Sequence, residues 1–173
     1  MQSQSTRATL LATLAALTLS TGAWAAGSHA GGHENEAIGK AGVPAKVNRT
    51  ITVDMTDAMR FSPANIKVKR NETVRFIVKN SGKTKHEFVL GTAKELKEHY
   101  EQMKKFPGME HADPNMVTVA PGKSGEVIWQ FTQAGKVDFA CLQPGHYDAG
   151  MKGFVSVAPG KPAKADGHDS HKH

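Results

Sequence analysis

The segment from Cys141 to Met151 places three metal-binding side chains at regular intervals. Its sequence is Cys-Leu-Gln-Pro-Gly-His-Tyr-Asp-Ala-Gly-Met, so a thiol, an imidazole and a thioether follow one another at the spacing Cys-x4-His-x4-Met. Cys141 is the only cysteine among the 173 residues. The segment starts at the end of a predicted strand and passes through a Pro-Gly turn. A hairpin-like loop of this kind can bring Cys141, His146 and Met151 to one point.

These ligand types favour copper. A thiolate with imidazoles and a weak axial thioether is the ligand set of trigonal copper electron-transfer sites, whereas structural zinc sites prefer four strong cysteine or histidine ligands. We expect a further imidazole from a neighbouring strand, and His86 is the best candidate because it opens a predicted strand after the turn at residues 80–85. Each residue also has a simpler interpretation: Cys141 as a small buried hydrophobe, His86 as a surface histidine, and Met151 as part of the core.

The start of the chain has the pattern of a secretory signal peptide. Arg7 precedes a short apolar stretch at residues 8–19, and small residues follow up to Ala25. We therefore expect cleavage after residues 1–25, a periplasmic location and no membrane span in the mature chain, because a spanning helix needs about 20 apolar residues. Exported proteins usually carry cysteines in pairs. The lone Cys141 is therefore expected to be buried, bound to a metal or paired with another chain.

The formal net charge of the chain is +6, and its lysines are spread along the sequence. An arginine-rich block interleaved with aromatic residues is absent from the sequence, which argues against nucleic-acid binding. The positive charge would keep the protein soluble and steer it toward an acidic redox partner protein. The sequence identifies neither that partner nor the oligomeric state.

Short segments that alternate apolar and polar residues dominate the middle of the chain and predict strands joined by turns. The predicted strands lie at residues 50–55, 66–69, 74–78, 86–90, 117–119, 125–131, 137–141 and 153–157. This pattern predicts an all-β fold, a Greek-key β-sandwich. Residues 93–106 instead predict a short helix that ends before a Pro-Gly pair. The apolar face of that helix comprises Leu96, Tyr100, Met103 and, at its end, Phe106.

The composition divides the remainder of the chain into distinct parts. Residues 26–48 are rich in glycine, alanine and histidine and are expected to form a flexible leader. Residues 49–158 contain all the predicted strands and form the domain, with the helical insertion at residues 92–116. Residues 159–173 are a polar, histidine-containing tail that cannot build a core and is expected to be disordered.

A second, weaker copper site is chemically reasonable because thioethers favour Cu(I). His99 and Met103 are four residues apart and share one face of the predicted helix. The candidate residues are His99, Met103, Met109, His111 and Met116. The simpler alternative is that Met103 packs in the core and His99 faces water. Histidines in the leader and tail could bind additional Cu(II) loosely.

The upstream His86, with Asn80 before it, and the downstream loop from Cys141 to Met151 together resemble the cupredoxins, the type 1 blue or green copper proteins. The spacing within the loop is similar to that of azurin and rusticyanin. In that family the segment around the first histidine supplies a hydrogen bond to the cysteine sulfur. The resemblance therefore implies such a bond here, from Asn80 or from Glu87.

The resemblance covers residues 48–158 and implies a ligand geometry. His86, Cys141 and His146 would bind one copper strongly in a near-trigonal plane, and Met151 would be the axial ligand. A dinuclear copper domain of the cytochrome oxidase type is excluded because it needs two cysteines.

The helical insertion, the histidine-bearing tails and the additional methionines depart from the small electron carriers and look like the CopI-type periplasmic cupredoxins tied to copper tolerance. The resemblance implies a periplasmic protein with one type 1 copper, which alternates between Cu(I) and Cu(II) and serves copper tolerance. One alternative is a dedicated electron carrier between periplasmic redox partners. The other is an enzyme such as a cuprous oxidase, which would need several further histidines; the strand region has no His-x-His pair.

Overall fold

The computed structural model describes residues 37–107, 109 and 112–160, and these residues form ten strands and one α-helix. In chain order the elements are β1 (Lys40–Ala41), β2 (Arg49–Thr56), β3 (Arg60–Ser62), β4 (Asn65–Lys69), β5 (Thr73–Asn80), β6 (His86–Gly91), α1 (Ala93–Lys105), β7 (Met116–Val119), β8 (Ser124–Gln130), β9 (Gly135–Ala140) and β10 (Lys152–Ala158). A helix long and apolar enough to cross a bilayer is not found among the described residues. The predicted signal segment and most of the predicted tail lie outside them.

The strands form two five-stranded sheets. Their orders are β1-β8-β5-β2-β3 and β4-β10-β9-β6-β7. Strands β2 and β5 pair in parallel, as do β4 and β10, and the remaining ladders are antiparallel. Buried residues of both sheets belong to one core cluster, so the sheets pack face to face. The predicted β-sandwich with one short helix is confirmed.

The core between the sheets is built around phenylalanine rings. Phe88 on β6 lies with its ring centroid 4.9 Å from that of Phe139 on β9 and 5.3 Å from that of Phe76 on β5. Phe61 on β3 meets Phe139 edge to face at 5.1 Å. Tilted and edge-to-face pairs of this kind stabilise a core beyond simple burial of area. They hold β6 and β9 against the facing sheet.

Strand β6 departs from the alternation seen in the other strands, because all six of its residues are buried. Phe88 and Leu90 belong to the core between the sheets. Val89 points the other way and joins a second apolar cluster with residues of α1. The helix therefore covers the outer face of the sheet at β6.

Helix α1 has clear start and stop signals. Thr92 accepts a hydrogen bond from the Glu95 backbone N–H while the Glu95 carboxylate accepts one from the Thr92 backbone N–H, a capping box that satisfies two otherwise orphaned donors. The predicted apolar face is confirmed for its first three members, Leu96, Tyr100 and Met103, which are buried. Phe106 is instead 57% exposed, because it follows the last helical residue with a non-helical φ of −131° and leaves the helical face.

The domain begins earlier than the sequence analysis placed it. Within the predicted leader, Lys40 and Ala41 form β1 and pair with β8. Ile38 is buried, and its carbonyl accepts a hydrogen bond from Trp129 Nε1 at 2.7 Å. Gly39 permits this approach, since its φ is +110° and a Cβ there would meet the carbonyl of Gln130. The described end of the leader is thus part of the first sheet.

Candidate metal centre

Strand pairing places His86 and Cys141 at the same end of the second sheet. His86 is the first residue of β6, and Cys141 directly follows the last residue of β9. Because β6 and β9 are antiparallel, with Val89 opposite Ala140, the start of one strand lies beside the end of the other. Both side chains are fully buried.

The loop after Cys141 returns His146 to the same point. His146 Nδ1 lies 3.3 Å from Cys141 Sγ and 3.2 Å from His86 Nδ1, and the sulfur lies 4.0 Å from His86 Nδ1. A point equidistant from these three atoms falls inside their triangle at about 2.1 Å from each, close to the bond lengths of about 2.0–2.3 Å that nitrogen and sulfur make to a metal such as zinc. The three atoms therefore fit a single metal ion in a trigonal arrangement. In the part of the chain that the structure describes, His86, Cys141 and His146 are the group of His, Cys, Asp or Glu side chains whose ligand atoms lie close enough together to bind one metal ion.

The loop from Cys141 to Met151, called the ligand loop below, is closed by hydrogen bonds between its own backbone groups. The Cys141 N–H donates to the Met151 carbonyl at 3.1 Å, and the Met151 N–H donates to the His146 carbonyl at 3.0 Å. Met151 is fully buried and belongs to the main core cluster, as does Cys141. Gly145 and Gly150 turn the chain with φ values of +85° and +88°, which side-chain-bearing residues rarely adopt. The loop thus brings Met151 back beside the strand end that carries Cys141.

Of the two residues expected to hydrogen-bond to the cysteine sulfur, Glu87 is the one that does so. Its backbone N–H lies 3.3 Å from Cys141 Sγ. The Asn80 side chain is used elsewhere, since its amide donates to the carbonyls of Thr84 and Val119. The carboxylate of Glu87 is buried and accepts hydrogen bonds from the Gln143 side-chain amide and the Thr118 hydroxyl. Glu87 therefore joins β6 both to the sulfur and to the ligand loop.

Burial sets the acid–base properties of the site in the copper-free protein. Desolvation raises the pKa of the Cys141 thiol to about 12, although N–H groups of Glu87 and Gln143 partly offset the effect by favouring the thiolate. Burial, and next the neighbouring charge of His86, lower the pKa of His146. A metal that binds the thiolate must displace the thiol proton, so binding releases a proton.

The buried thiol should be unreactive before copper binds. In the copper-free protein at pH 8, we expect a chromogenic disulfide reagent to modify Cys141 at least about a hundredfold more slowly than in the chain unfolded by guanidinium, because the native thiolate fraction is small and the sulfur is fully buried. The unfolded sample is the control that the thiol is intact. Equal rates in the folded and unfolded protein would contradict this description of the site.

Helix α1 holds the loop on both sides of His146. The hydroxyl of Tyr100 donates to Asp148 Oδ2 at 2.8 Å and accepts from the Gly145 N–H at 3.0 Å. The ring of Tyr100 stacks on that of Tyr147 with centroids 5.0 Å apart. The helical pattern predicts Tyr100 on the apolar face of α1, but the sequence around Tyr100 gives no signal for this polar role.

Replacing Tyr100 with phenylalanine should loosen the ligand loop without emptying the cluster under the helix. We expect the Tyr100→Phe variant to lose about 1–3 kcal/mol of unfolding free energy in the copper-free state, since two polar groups lose a partner. The visible spectrum of the copper-loaded variant should also shift. Urea denaturation and absorption spectroscopy measure the two effects. The matched control, Tyr147→Phe, removes the hydroxyl of the other stacked ring and leaves both loop hydrogen bonds; an equal loss in the two variants would contradict the role of the Tyr100 hydroxyl.

A second carboxylate, which the sequence analysis did not single out, lies against His86. Asp57, in the turn between β2 and β3, approaches His86 Nε2 with its Oδ1 at 3.4 Å. Hydrogen bonds, first of all from the Lys83 backbone N–H, lower the pKa of Asp57 to about 2. The ring of His86 therefore lies between the thiol on one side and a carboxylate on the other.

Two of the candidates for a second copper site lie in a different apolar cluster from the one that contains Cys141 and Met151. Met103 and Met116 are buried in the cluster beneath α1, so the simpler interpretation of Met103 as a core residue is confirmed. His99 is half-buried on the helix, and Met109 is 49% exposed. His111 and the histidines of both termini lie outside the described residues.

Comparison with known proteins gives a consistent family match. The family model described as copper binding proteins of the plastocyanin/azurin family matches residues 47–158. A protein named copper-resistant cuproprotein CopI from Rubrivivax gelatinosus is 54% identical over 133 residues, covering 75% of this chain and 81% of that protein. A protein of the same name from Pseudomonas aeruginosa is 40% identical over 182 residues, covering 88% of this chain and 98% of that protein.

Solved structures share the fold at lower identity. Auracyanin B aligns with a TM-score of 0.57 and 24% identity, over 70% of this chain and 97% of its own. An azurin from Methylomonas sp. strain J aligns with a TM-score of 0.51 and 18% identity, over 64% of this chain and 98% of its own. At these identities the alignments show a common fold.

Proposed function

Because this chain belongs to the plastocyanin/azurin family of copper-binding proteins, as a cupredoxin of the CopI type with one type 1 copper site, we propose that it is a one-electron redox protein of the periplasm that serves copper tolerance. The observation that carries the proposal is the triangle of two imidazole nitrogens and one thiol sulfur, which has the size and the donor set of a trigonal copper site. The proposal extends family membership in three respects: the ligands, the redox activity and the physiological role.

We assign His86, Cys141 and His146 as the equatorial ligands and Met151 as the axial ligand. The distances among the first three support the equatorial assignment. The axial assignment follows the Cys-x4-His-x4-Met spacing shared with the family, and the backbone hydrogen bonds of Met151 to Cys141 and His146 keep this buried residue beside the rest of the loop. A thioether in this position is the weak axial ligand that copper accepts and structural zinc sites seldom use.

The surroundings of the site suit electron transfer. A bound copper supplies one-electron chemistry by alternating between Cu(I) and Cu(II). His86 and Cys141 are fixed at the ends of two paired strands, and the loop between Cys141 and Met151 is closed by hydrogen bonds. These residues would move little when the charge of the metal changes. His146 is half-buried while the other three side chains are fully buried, so its ring would offer an electron the most direct path to a partner.

Copper tolerance is supported by the relatives. The proteins from Rubrivivax gelatinosus and Pseudomonas aeruginosa are both named copper-resistant cuproproteins. The signal-like pattern of residues 1–25 supports export to the periplasm. An exported copper protein of this kind would capture excess copper before it enters the cytoplasm.

The proposal is tested by copper titration and by gene deletion. The copper-free protein should develop one intense thiolate-to-copper absorption band that saturates at one equivalent and disappears on one-electron reduction. A deletion strain should fail to grow in high copper while respiring normally in low copper, and wild-type protein should restore growth. A respiratory defect in low copper would instead indicate a dedicated carrier, and steady oxygen-dependent oxidation of Cu(I) would indicate an oxidase.

A further inference from the structure

The carboxylate of Asp57 accepts hydrogen bonds from the turn that leads into His86. Its Oδ2 accepts the Lys83 N–H at 2.7 Å, and its Oδ1 accepts both the Thr84 N–H at 3.2 Å and the Thr84 hydroxyl at 2.9 Å. The approach is close enough that a Cβ at Gly82 would collide with the carboxylate. Asp57 is therefore held in one position beside the start of β6, although it lies in the turn between β2 and β3 of the other sheet.

The contacts of His86 Nε2 favour one tautomer of the ring. That nitrogen faces Asp57 Oδ1 at 3.4 Å and Thr84 Oγ1 at 3.3 Å. An ionised carboxylate only accepts hydrogen bonds, and the Thr84 hydroxyl already donates its proton to Asp57. Both partners can therefore accept a hydrogen bond from His86, so this geometry favours a proton on Nε2 and a lone pair on Nδ1, which faces Cys141 and His146.

We propose that Asp57 is a positioning residue for the copper site, which fixes the tautomer and ring orientation of His86 and adds a negative charge behind this ligand. The inference rests on the proposed assignment of His86 as a ligand. Carboxylate partners of metal-bound histidines orient the ring and raise its basicity. A carboxylate at this place also stabilises Cu(II) relative to Cu(I), because the more highly charged ion gains more from a nearby negative charge.

Two substitutions of Asp57 separate orientation from charge. Asp57→Ala removes both, and we expect the affinity for Cu(II) to fall about 10–100-fold, the usual effect of losing such a partner. Asp57→Asn keeps an acceptor oxygen, so affinity should stay within about tenfold of wild type while the reduction potential shifts upward. The matched control is Ser81→Ala, which removes a hydrogen bond to Asp54 that ties the same turn to β2 without touching His86. This control should change neither quantity.

A copper-free measurement tests the inference independently of the redox function. Nitrogen-15 NMR at pH 8 should show the Nε2–H tautomer of His86 in the wild type, in Ser81→Ala and in Asp57→Asn, and a mixture of tautomers in Asp57→Ala. An unchanged tautomer in Asp57→Ala would overturn the inference, as would equal losses of affinity in Asp57→Ala and Ser81→Ala. If His86 proves not to bind copper while the tautomer still responds to Asp57, the proposed ligand set fails and the positioning of His86 stands.

Discussion

The Cys141→Ser variant should lose the intense visible absorption of the copper-loaded protein and bind Cu(I) about tenfold or more weakly. Serine has the size of cysteine, but its hydroxyl is a hard, neutral donor, whereas the thiolate is the soft ligand that selects copper and gives the charge-transfer band. The fold should survive, because the change is small and the site lies at the end of the sheet. Absorption and EPR spectra of the loaded variant, with a competition titration for Cu(I), measure the result.

The Met109→Leu variant provides the matched control for this experiment. It removes one sulfur atom from a side chain that is 49% exposed in the segment after α1 and should leave the band and the affinity of the type 1 site unchanged. A visible band that persists in Cys141→Ser would show that the thiolate is not the source of the colour, and the ligand assignment would then be wrong.

Truncating Phe88 to alanine should destabilise the copper-free protein by about 3–5 kcal/mol, since it leaves a large cavity in a rigid core. The ring is fully buried and contacts the rings of Phe61, Phe76 and Phe139. It lies two residues beyond His86, so the site should also lose copper affinity as β6 loosens. Urea denaturation followed by circular dichroism gives the free energy of unfolding.

The chain offers a chemically identical control in Phe106→Ala. That ring is 57% exposed after the end of α1, and its loss should change the unfolding free energy by less than about 0.5 kcal/mol. Similar losses in the two variants would contradict the assignment of Phe88 to the centre of the core.

The longer strands could be predicted from the sequence because their burial alternates with the pleat, as Val53 and Met55 on β2 illustrate. Strands β1 and β3 were missed because two and three residues carry no measurable period. What stabilises β1 is its pairing with β8 and the hydrogen bond from Trp129 to Ile38. These contacts depend on residues about ninety positions away, which no local pattern encodes.

The residues of the candidate site also fall into those that a local sequence pattern indicates and those that only long-range contacts bring together. The spacing of Cys141, His146 and Met151 is local, so one loop indicated them as candidates. His86 could be chosen only as a histidine at the start of a strand, and the β6–β9 pairing is what brings it to Cys141. The bonds of Tyr100 to the loop span 45 and 48 residues. Such contacts arise from the packing of α1 against the loop, and the sequence around Tyr100 does not predict them.

The burial of β6 on both faces limits how far this scaffold could be reduced. The simplest way to design a smaller cupredoxin is to delete α1, which connects β6 to β7. Deletion would uncover Val89, Ala140 and Leu142, whose side chains the helix shields, and would create a contiguous apolar patch next to the ligand loop. Such patches promote self-association. A miniaturised version would therefore need polar replacements on that face before it could remain dispersed in solution.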